Sequence, residues 1–326
     1  MDRFRPRLGL LIVAAALVAA VTAPGPRRPP DDFPVVAARW MQPPDYVAAL
    51  TTRPRECARL PRTSRDRRRF EAGRAAFRAP LLLGGQAARA GLACESCHSN
   101  GHRNADFHFP GLSDAPGTAD VTASLMSSHR GNDRFDPRPI PDLALPGKVS
   151  RAPETRALER FIDGLIVEEF DGPPPPPAIL DALAFYVRSL GRGGCPGATE
   201  PLRVGDDLDD ADRAIAAAQT AWAGGDVAAA RLLLSATRST LGRIDQRFAP
   251  VTLAASRQAL RNADRELLAI ARAIDRNDRD VNVRIAAWRA GRPALAKRLQ
   301  TDAAASYYDP AVLDRALVAA VARKDR

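Results

Sequence analysis

Apolar residues recur every three or four positions along much of the chain, the spacing that places them on one face of an α-helix. A first such stretch begins at about Ser64 and carries Phe70, Gly73 and Phe77 on one face. The pattern predicts further helices at about 153–170, 178–190, 207–223, 226–247, 251–274 and 281–299, and a last one that begins at Asp309-Pro310. Asp followed by proline is a typical helix start. The fold class is therefore predicted to be all-α.

The stretch from Gly91 to Val149 interrupts this pattern. It is dense in Gly, Pro, Ser, Asn and Asp, which favour turns, and only a short helix at about 123–128 is predicted within it. A loop-rich segment of this length usually surrounds a functional site.

The N-terminus predicts export. Arg3, Arg5 and Arg7 precede an unbroken apolar run from Leu8 to Val21, and small residues and prolines follow. This is the pattern of a secretory signal, and the run is shorter than the roughly 20 residues of a membrane-spanning helix. A proline after Ala23 disfavours cleavage there, so anchoring in the inner membrane through residues 8–21 stays open. In both cases we expect a periplasmic protein.

Composition and charge limit the classes of partner that the protein is expected to bind. The chain has 326 residues with 48 Lys+Arg against 38 Asp+Glu, a formal net charge of +10. The arginines alternate with acidic residues, and no basic stripe with interleaved aromatic residues occurs, so nucleic-acid binding is not expected. The charge is typical of a solvated, Arg-rich surface, and the alternative is a docking face for an acidic partner or an anionic membrane.

The candidate chemistry lies in Cys94-Glu95-Ser96-Cys97-His98, a C-x-x-C-H sequence. This spacing is typical of covalent haem attachment, in which two thiols bind the porphyrin vinyl groups and the adjacent histidine ligates the iron. A zinc site would need about four ligands, and only His102 and His108 could add to these, with no second C-x-x-C present. Thiol redox chemistry usually accompanies a βαβ pattern, which is absent. We therefore expect one covalent haem c.

The flanking helices resemble those of cytochromes c. Gly73-Arg-Ala-Ala-Phe77 is similar to the G-x-x-x-F/Y helix that precedes the haem motif in that family, and residues 180–190 resemble its closing L-x-x-L-x-x-Y helix. The resemblance covers residues 64–192 and implies that these two helices cross. The segment from Gly73 through Pro116–Thr122 is distantly similar to the di-haem cytochrome c peroxidase group.

That group has two haem motifs and an aromatic residue between its haems, whereas this chain has one motif and its tryptophans lie outside the haem segment. A monohaem domain is therefore expected. The predicted domains are a signal peptide or anchor at 1–23, a Pro-rich tether at 24–56, a cytochrome c-like haem domain at 57–196 and an all-α helical domain at 197–326. The second of these folded domains matches no family in its sequence pattern and is expected to be a bundle or hairpin array.

The sixth iron ligand is open between Met126, His129, His108 and no protein ligand. A thioether would raise the reduction potential and suit electron transfer. Arg103 and Arg130 are candidates to hold the haem propionates, because a guanidinium pairs with carboxylates in a fork. Cys57 and Cys195 flank the haem segment, and the crossing helices of the resembled fold would bring them together as a disulfide.

The expected function is electron transfer by an exported monohaem cytochrome with a redox protein partner. The first alternative is a peroxidase-like haem enzyme with an open or displaceable sixth position. The second is a redox-sensing scaffold that uses the C-terminal helical domain.

Overall fold

The computed structural model describes residues 35–42, 46–191 and 199–324. The chain is mostly helical, with 62% helix and 5% strand, as the sequence predicts. Residues 1–34 lie outside the described residues, so the signal and the anchor at 8–21 stay predictions.

The described residues form twelve α-helices, several of them only a turn long. They are α1 (Tyr46–Thr51), α2 (Ser64–Phe77), α3 (Pro80–Leu83), α4 (Gly85–Arg89), α5 (Cys94–Cys97), α6 (Ala157–Gly164), α7 (Pro177–Ser189), α8 (Val204–Ala223), α9 (Val227–Arg247), α10 (Ala254–Asp275), α11 (Val281–Asp302) and α12 (Pro310–Lys324).

Two short antiparallel sheets join distant parts of the chain. Strand β1 (Thr52–Pro54) pairs with β4 (Thr199–Pro201), and β2 (Thr118–Ala119) pairs with β3 (Arg138–Pro139). Residues 46–54, which the sequence assigned to the tether, therefore form a helix and a strand. Partners far away in the sequence stabilise that strand, and a local pattern cannot show them.

Helices α2 and α7 cross with their backbones in contact. A Cβ atom on Gly73 would lie 2.0 Å from the carbonyl oxygen of Ala182, so only glycine fits at the crossing. The Tyr186 ring packs between Phe70 and Phe77, at centroid distances of 5.3 Å and 5.2 Å. The crossing that the family resemblance implied is thus present.

The C-terminal helices share the core of the preceding segment. Helix α2 packs on α7 with one side and on α8 and α9 with another, and one buried hydrophobic cluster extends from Phe70 to Tyr308. A second, smaller cluster joins α1 to α12 through Leu50 and Leu313. The two predicted folded domains therefore share one hydrophobic cluster, and buried ion pairs such as Arg74 with Asp210 of α8 also connect them.

Helix boundaries in the C-terminal half lie within about three residues of those predicted, but the loop-rich segment differs. The helix predicted at 123–128 is a series of turns. The Asp120 carboxylate accepts hydrogen bonds from the amide and the hydroxyl of Thr122, at 3.0 Å and 2.8 Å, and this local turn competes with helix formation.

The helix predicted from 153 begins only at Ala157. Residues Pro153–Thr155 form a 3₁₀ turn, and Arg156 then adopts the left-handed conformation with φ 49°, which interrupts the helix. Its last turn, Leu165–Glu169, is π-helical. Among the described residues, no helix combines the length and apolar character that crossing a lipid bilayer requires.

Candidate functional site

Cys94 and Cys97 lie one helical turn apart on α5. The side-chain oxygen of Ser96 accepts a hydrogen bond from the amide of Ala93 at 3.0 Å, which closes the start of this turn. The amide of His98 donates to the carbonyl of Cys94 at 2.9 Å and closes its end. Since residues three apart share one face of a helix, both thiols point to the same side.

His98 has a defined tautomer. Its Nδ1 lies 3.0 Å from the carbonyl oxygen of Pro141, and because a carbonyl can only accept, Nδ1 carries the proton. Nε2 therefore holds a lone pair, and it makes no hydrogen bond to any described residue. Burial lowers the pKa of His98 to about 4, so the ring is neutral at pH 7. A neutral ring oriented by a backbone carbonyl is the usual state of a metal-ligating histidine.

The two thiols are free and half-buried. Burial raises the pKa of Cys94 and that of Cys97 to about 12, so both are protonated at pH 7. A reactive redox cysteine needs a lowered pKa, which this environment does not give. Within the part of the chain that the structure describes, no three His, Cys, Asp or Glu side chains converge as a metal site would require.

The turn after His98 depends on one asparagine. Asn100 has φ 49°, in the left-handed region, and is almost fully buried. Its amide donates to Glu95 Oε1 at 2.9 Å, its Nδ2 donates to the carbonyl of Pro54 at 2.8 Å, and its Oδ1 accepts from Arg78 at 2.6 Å. Three hydrogen bonds thus fix the segment that follows the C-x-x-C-H sequence.

Arg78 belongs to a buried network of charges that also includes residues of the C-terminal helices. Its guanidinium lies 3.2 Å from Glu56, 3.7 Å from Glu95 and 3.6 Å from Asp210 of α8. Arg74 contacts the same Glu56 and Asp210 at 2.8 Å and 2.6 Å. We call these five residues the Arg78 network.

The network shifts the pKa values of its carboxylates in opposite directions. Burial alone would raise the pKa of Glu56, but Arg78 and Arg74 outweigh it and lower the pKa to about 2. The same balance lowers the pKa of Asp210. Burial prevails at Glu95 and raises its pKa, and one of its oxygens is buried without a hydrogen-bond partner. The site is therefore flanked by fixed buried charges.

The candidate sixth ligands lie in different surroundings. Met126 is 2% exposed and belongs to the main hydrophobic cluster. His108 uses Nε2 to contact the side-chain amide of Gln42 at 2.9 Å. The side chain of His129 is 59% exposed, with Nδ1 3.0 Å from Asp171. Of the three, Met126 has the apolar, buried environment that a thioether ligand requires.

The loop after Met126 is tied to the turn that ends the π-helical segment. The Ser127 hydroxyl donates to the carbonyl of Glu168, and the Ser128 amide donates to both carboxylate oxygens of Asp171, at 2.9 Å and 3.0 Å. Asp171 has φ 56°, so its position is set by the turn itself. These hydrogen bonds fix the chain on the C-terminal side of Met126.

The two candidate propionate partners differ in availability. Arg130 is ion-paired with Glu168 and with Glu169, the latter at 2.6 Å, so its guanidinium is occupied by carboxylates of the chain. Arg103 lies against Gly117, where an added Cβ would be 2.7 Å from its terminal nitrogen. Arg103 makes no ion pair with any described residue and stays the better candidate.

The first half of the predicted disulfide is well placed. Cys57 is 4% exposed, and its carbonyl accepts a hydrogen bond from the amide of Gly191 at 2.9 Å. Ala58 and Leu190 form an antiparallel bridge beside it. Cys195 lies outside the described residues, so its pairing with Cys57 stays a prediction.

The structure also identifies residues that the sequence did not single out. They are Pro141, which orients His98, Asn100 and Arg78, which fix the following turn, and Asp171, which holds the Met126 loop. His102 is excluded as a free ligand because one ring nitrogen lies 3.1 Å from the carbonyl of Arg55 and the other 3.3 Å from Asp142.

No protein-family model, curated protein or solved structure matches this chain. The function must therefore be argued from the residues themselves.

Proposed function

We propose that this protein is an exported monohaem c-type cytochrome that transfers electrons. The observation that supports it best is the state of His98: neutral, oriented by Pro141 and with Nε2 free, directly after two free thiols on one helical turn. Zinc binding would need further ligands, and none converge here among the described residues. Thiol redox chemistry would need a lowered cysteine pKa, and the pKa values of both thiols are raised.

The residues present fit a covalent haem. Each thiol would add across one vinyl group, so that a sulfur–carbon bond forms and the thiol proton goes to the other vinyl carbon. Cys94 and Cys97 are protonated and point to one side, which suits this addition. Nε2 of His98 would ligate the iron, and the haem would supply one-electron Fe(II)/Fe(III) chemistry.

The chain surrounds this position with apolar and fixed groups. Phe77 lies beside His98, with 6.5 Å between the ring centroids, and Leu92 and Met126 belong to the hydrophobic cluster that Cys94 and Cys97 contact. We propose Met126 as the sixth ligand and Arg103 as a propionate partner. A buried thioether would stabilise the reduced state and favour an electron carrier.

One observation favours a peroxidase-like haem enzyme as the second candidate. Asp171 holds Nδ1 of His129 and leaves its Nε2 toward solvent, an arrangement that suits a group which accepts a proton from a substrate. The haem enzyme requires iron with an open sixth coordination position, whereas the electron-transfer cytochrome requires six-coordinate iron.

The test is production of the full chain, with its own N-terminus, in a bacterium that attaches haem to exported proteins. We expect a periplasmic fraction whose haem stays with the polypeptide in acidified organic solvent and whose spectrum changes on reduction. Replacing both Cys94 and Cys97 with Ser should abolish this bound haem. The matched control, Ser at both Cys57 and Cys195, should retain it. A colourless wild-type protein would overturn the proposal.

The spectrum of the same preparation separates the two candidates. Low-spin iron that does not react with peroxide supports the carrier. High-spin iron that reacts with peroxide supports the enzyme and contradicts the assignment of Met126.

A further inference from the structure

The segment that leads into α2 is unusually basic. Between the buried Glu56 and Phe70, Asp66 is the sole acidic residue. The exposed arginines of this part of the surface are Arg55, Arg59, Arg62, Arg65, Arg67 and Arg68. We call these six residues together with Leu60 the arginine face.

Most of these guanidinium groups have no partner among the described residues. The guanidinium groups of Arg59, Arg62, Arg65 and Arg68 make no hydrogen bond or ion pair to any described residue, and the ion pair of Arg55 is long, 3.8 Å to Glu200. Several arginines of the C-terminal helices are paired instead: Arg238 pairs with Asp264 at 2.7 Å and Arg257 with Asp245 at 2.9 Å. The arginine face is therefore a local excess of positive charge.

The position of this charge is unfavourable for the helix itself. Helix α2 begins at Ser64 with Thr63 as its N-cap, and Arg65, Arg67 and Arg68 lie in its first turns. The N-terminal end of a helix carries a partial positive charge, so cations there destabilise the helix. An unfavourable cluster in which most guanidinium groups lack a partner among the described residues indicates a role outside the folded chain.

An exposed leucine lies in the same segment, between Arg59 and Arg62 in the sequence. Leu60 is 65% exposed, although large apolar side chains elsewhere in this segment, such as Phe70, are buried. A combination of arginines with an exposed leucine fits a phospholipid surface, because guanidinium groups bind phosphates while the leucine enters the layer below the headgroups. Arginine side chains without partners in the protein can also move with the phospholipid headgroups of a fluid membrane.

We propose that the arginine face binds anionic phospholipid headgroups and holds the protein at a membrane surface. The arginines in the first turns of α2 lie at the opposite end of that helix from the candidate haem site. Helix α2 has 14 residues, about 20 Å, and its far end carries Phe77, which lies beside His98. A membrane bound at the first turns of α2 therefore leaves the His98 region open to a redox partner. The inference does not depend on haem.

The test measures co-sedimentation of the full chain with vesicles. One set consists of phosphatidylcholine alone, and the other of equal parts phosphatidylcholine and phosphatidylglycerol. The test variant carries Arg62→Gln, Arg65→Gln and Arg68→Gln. The control variant carries Arg272→Gln, Arg279→Gln and Arg298→Gln, three exposed arginines of the C-terminal half. Both lose three positive charges and keep the same N-terminus.

We expect binding to the anionic vesicles that weakens with added salt. Each arginine at an anionic surface contributes about fivefold, so the test variant should bind about a hundredfold more weakly than wild type. The control variant should stay within a few-fold of wild type. Leu60→Asn should weaken binding to a smaller degree that persists at high salt.

Three results would overturn the proposal. Wild-type protein could fail to bind the anionic vesicles, or bind both vesicle types equally, which would indicate the N-terminal apolar run instead. The two triple variants could also bind alike, which would indicate net charge alone. If vesicle binding is absent while a purified acidic protein binds wild type and not the test variant, the face belongs to a protein partner. Thermal unfolding of both variants checks that the fold is kept.

Discussion

The guanidinium of Arg78 donates a hydrogen bond to the side-chain oxygen of Asn100, and the two atoms are 2.6 Å apart. This contact joins the end of α2 to the turn that follows His98. Because Arg78 also contacts Asp210 of α8, the C-terminal helices are connected to the segment with the C-x-x-C-H sequence through one buried cation. The C-terminal half of the chain is thus part of the structure that positions His98.

Loss of this cation should destabilise the whole chain. Arg78→Ala would leave the buried carboxylates of Glu56 and Asp210 without one of their cations, and removing one partner of a buried ion pair costs about 3–5 kcal/mol. The measurement is the free energy of unfolding in urea. The matched control is Arg68→Ala, an exposed arginine without a partner in the described residues, which should change stability by about 0.5 kcal/mol or less. Equal effects of the two substitutions would contradict the role of the Arg78 network.

The crossing of α2 and α7 predicts that alanine substitutions at two glycines have opposite effects on stability. Gly73→Ala places a methyl group 2.0 Å from the carbonyl oxygen of Ala182, so the helices must separate, at a cost of about 1–3 kcal/mol. Gly242→Ala in α9 meets nothing within 4 Å and should stabilise the helix by up to about 1 kcal/mol. Unfolding of both variants in denaturant measures whether each substitution lowers or raises the free energy of unfolding. A stabilising Gly73→Ala would mean that the helices do not cross as described.

Acid should remove the contribution of Glu56 to the stability of the fold. Its pKa is lowered in the folded chain from 4.5 to about 2, so the folded state binds its proton less readily than the unfolded state. The stabilisation is complete above about pH 4.5 and is lost as the pH falls toward 2, by up to about 3 kcal/mol. Glu56→Gln should therefore make stability fall less steeply between pH 4.5 and the lowest pH at which the fold persists, while Asp210, whose pKa is also lowered, keeps part of the slope. Glu154→Gln, in an exposed turn, serves as control and should leave the wild-type slope unchanged.

The sixth ligand can be identified by three single substitutions in the haem-loaded protein. Met126→Ala should abolish any sulfur-to-iron charge-transfer absorption, convert the iron to high spin and lower the reduction potential, because a thioether stabilises Fe(II). His108→Ala and His129→Ala should leave the spin state unchanged, since the ring of His108 contacts Gln42 and the ring of His129 contacts Asp171. Low-spin iron that persists in Met126→Ala but not in His129→Ala would transfer the assignment to His129.

Local sequence pattern was sufficient for the long helices but not for the partners of the site. The helices from α8 to α11 repeat apolar residues over five turns or more, so their bounds were predicted closely. Pro141 is 43 residues from His98, and Asp210 is 136 residues from Arg74. These contacts depend on how helices and loops pack in three dimensions, and no spacing in the sequence indicates them. The short helices α3 and α4 were missed for a related reason, since four or five residues are too few to show a period.

The proposed disulfide gives the last prediction. Gly191 donates to the carbonyl of Cys57, so the chain on either side of the haem segment is already held together at this point. A bond from Cys57 to Cys195 would close a long loop and contribute roughly 4–5 kcal/mol in the chain-entropy model. Cys57→Ser, Cys195→Ser and the double variant should therefore lose the same amount of stability, because each removes the same bond. Unequal losses that add in the double variant would show two independent cysteines, and mass spectrometry after alkylation without reductant would then find both thiols modified.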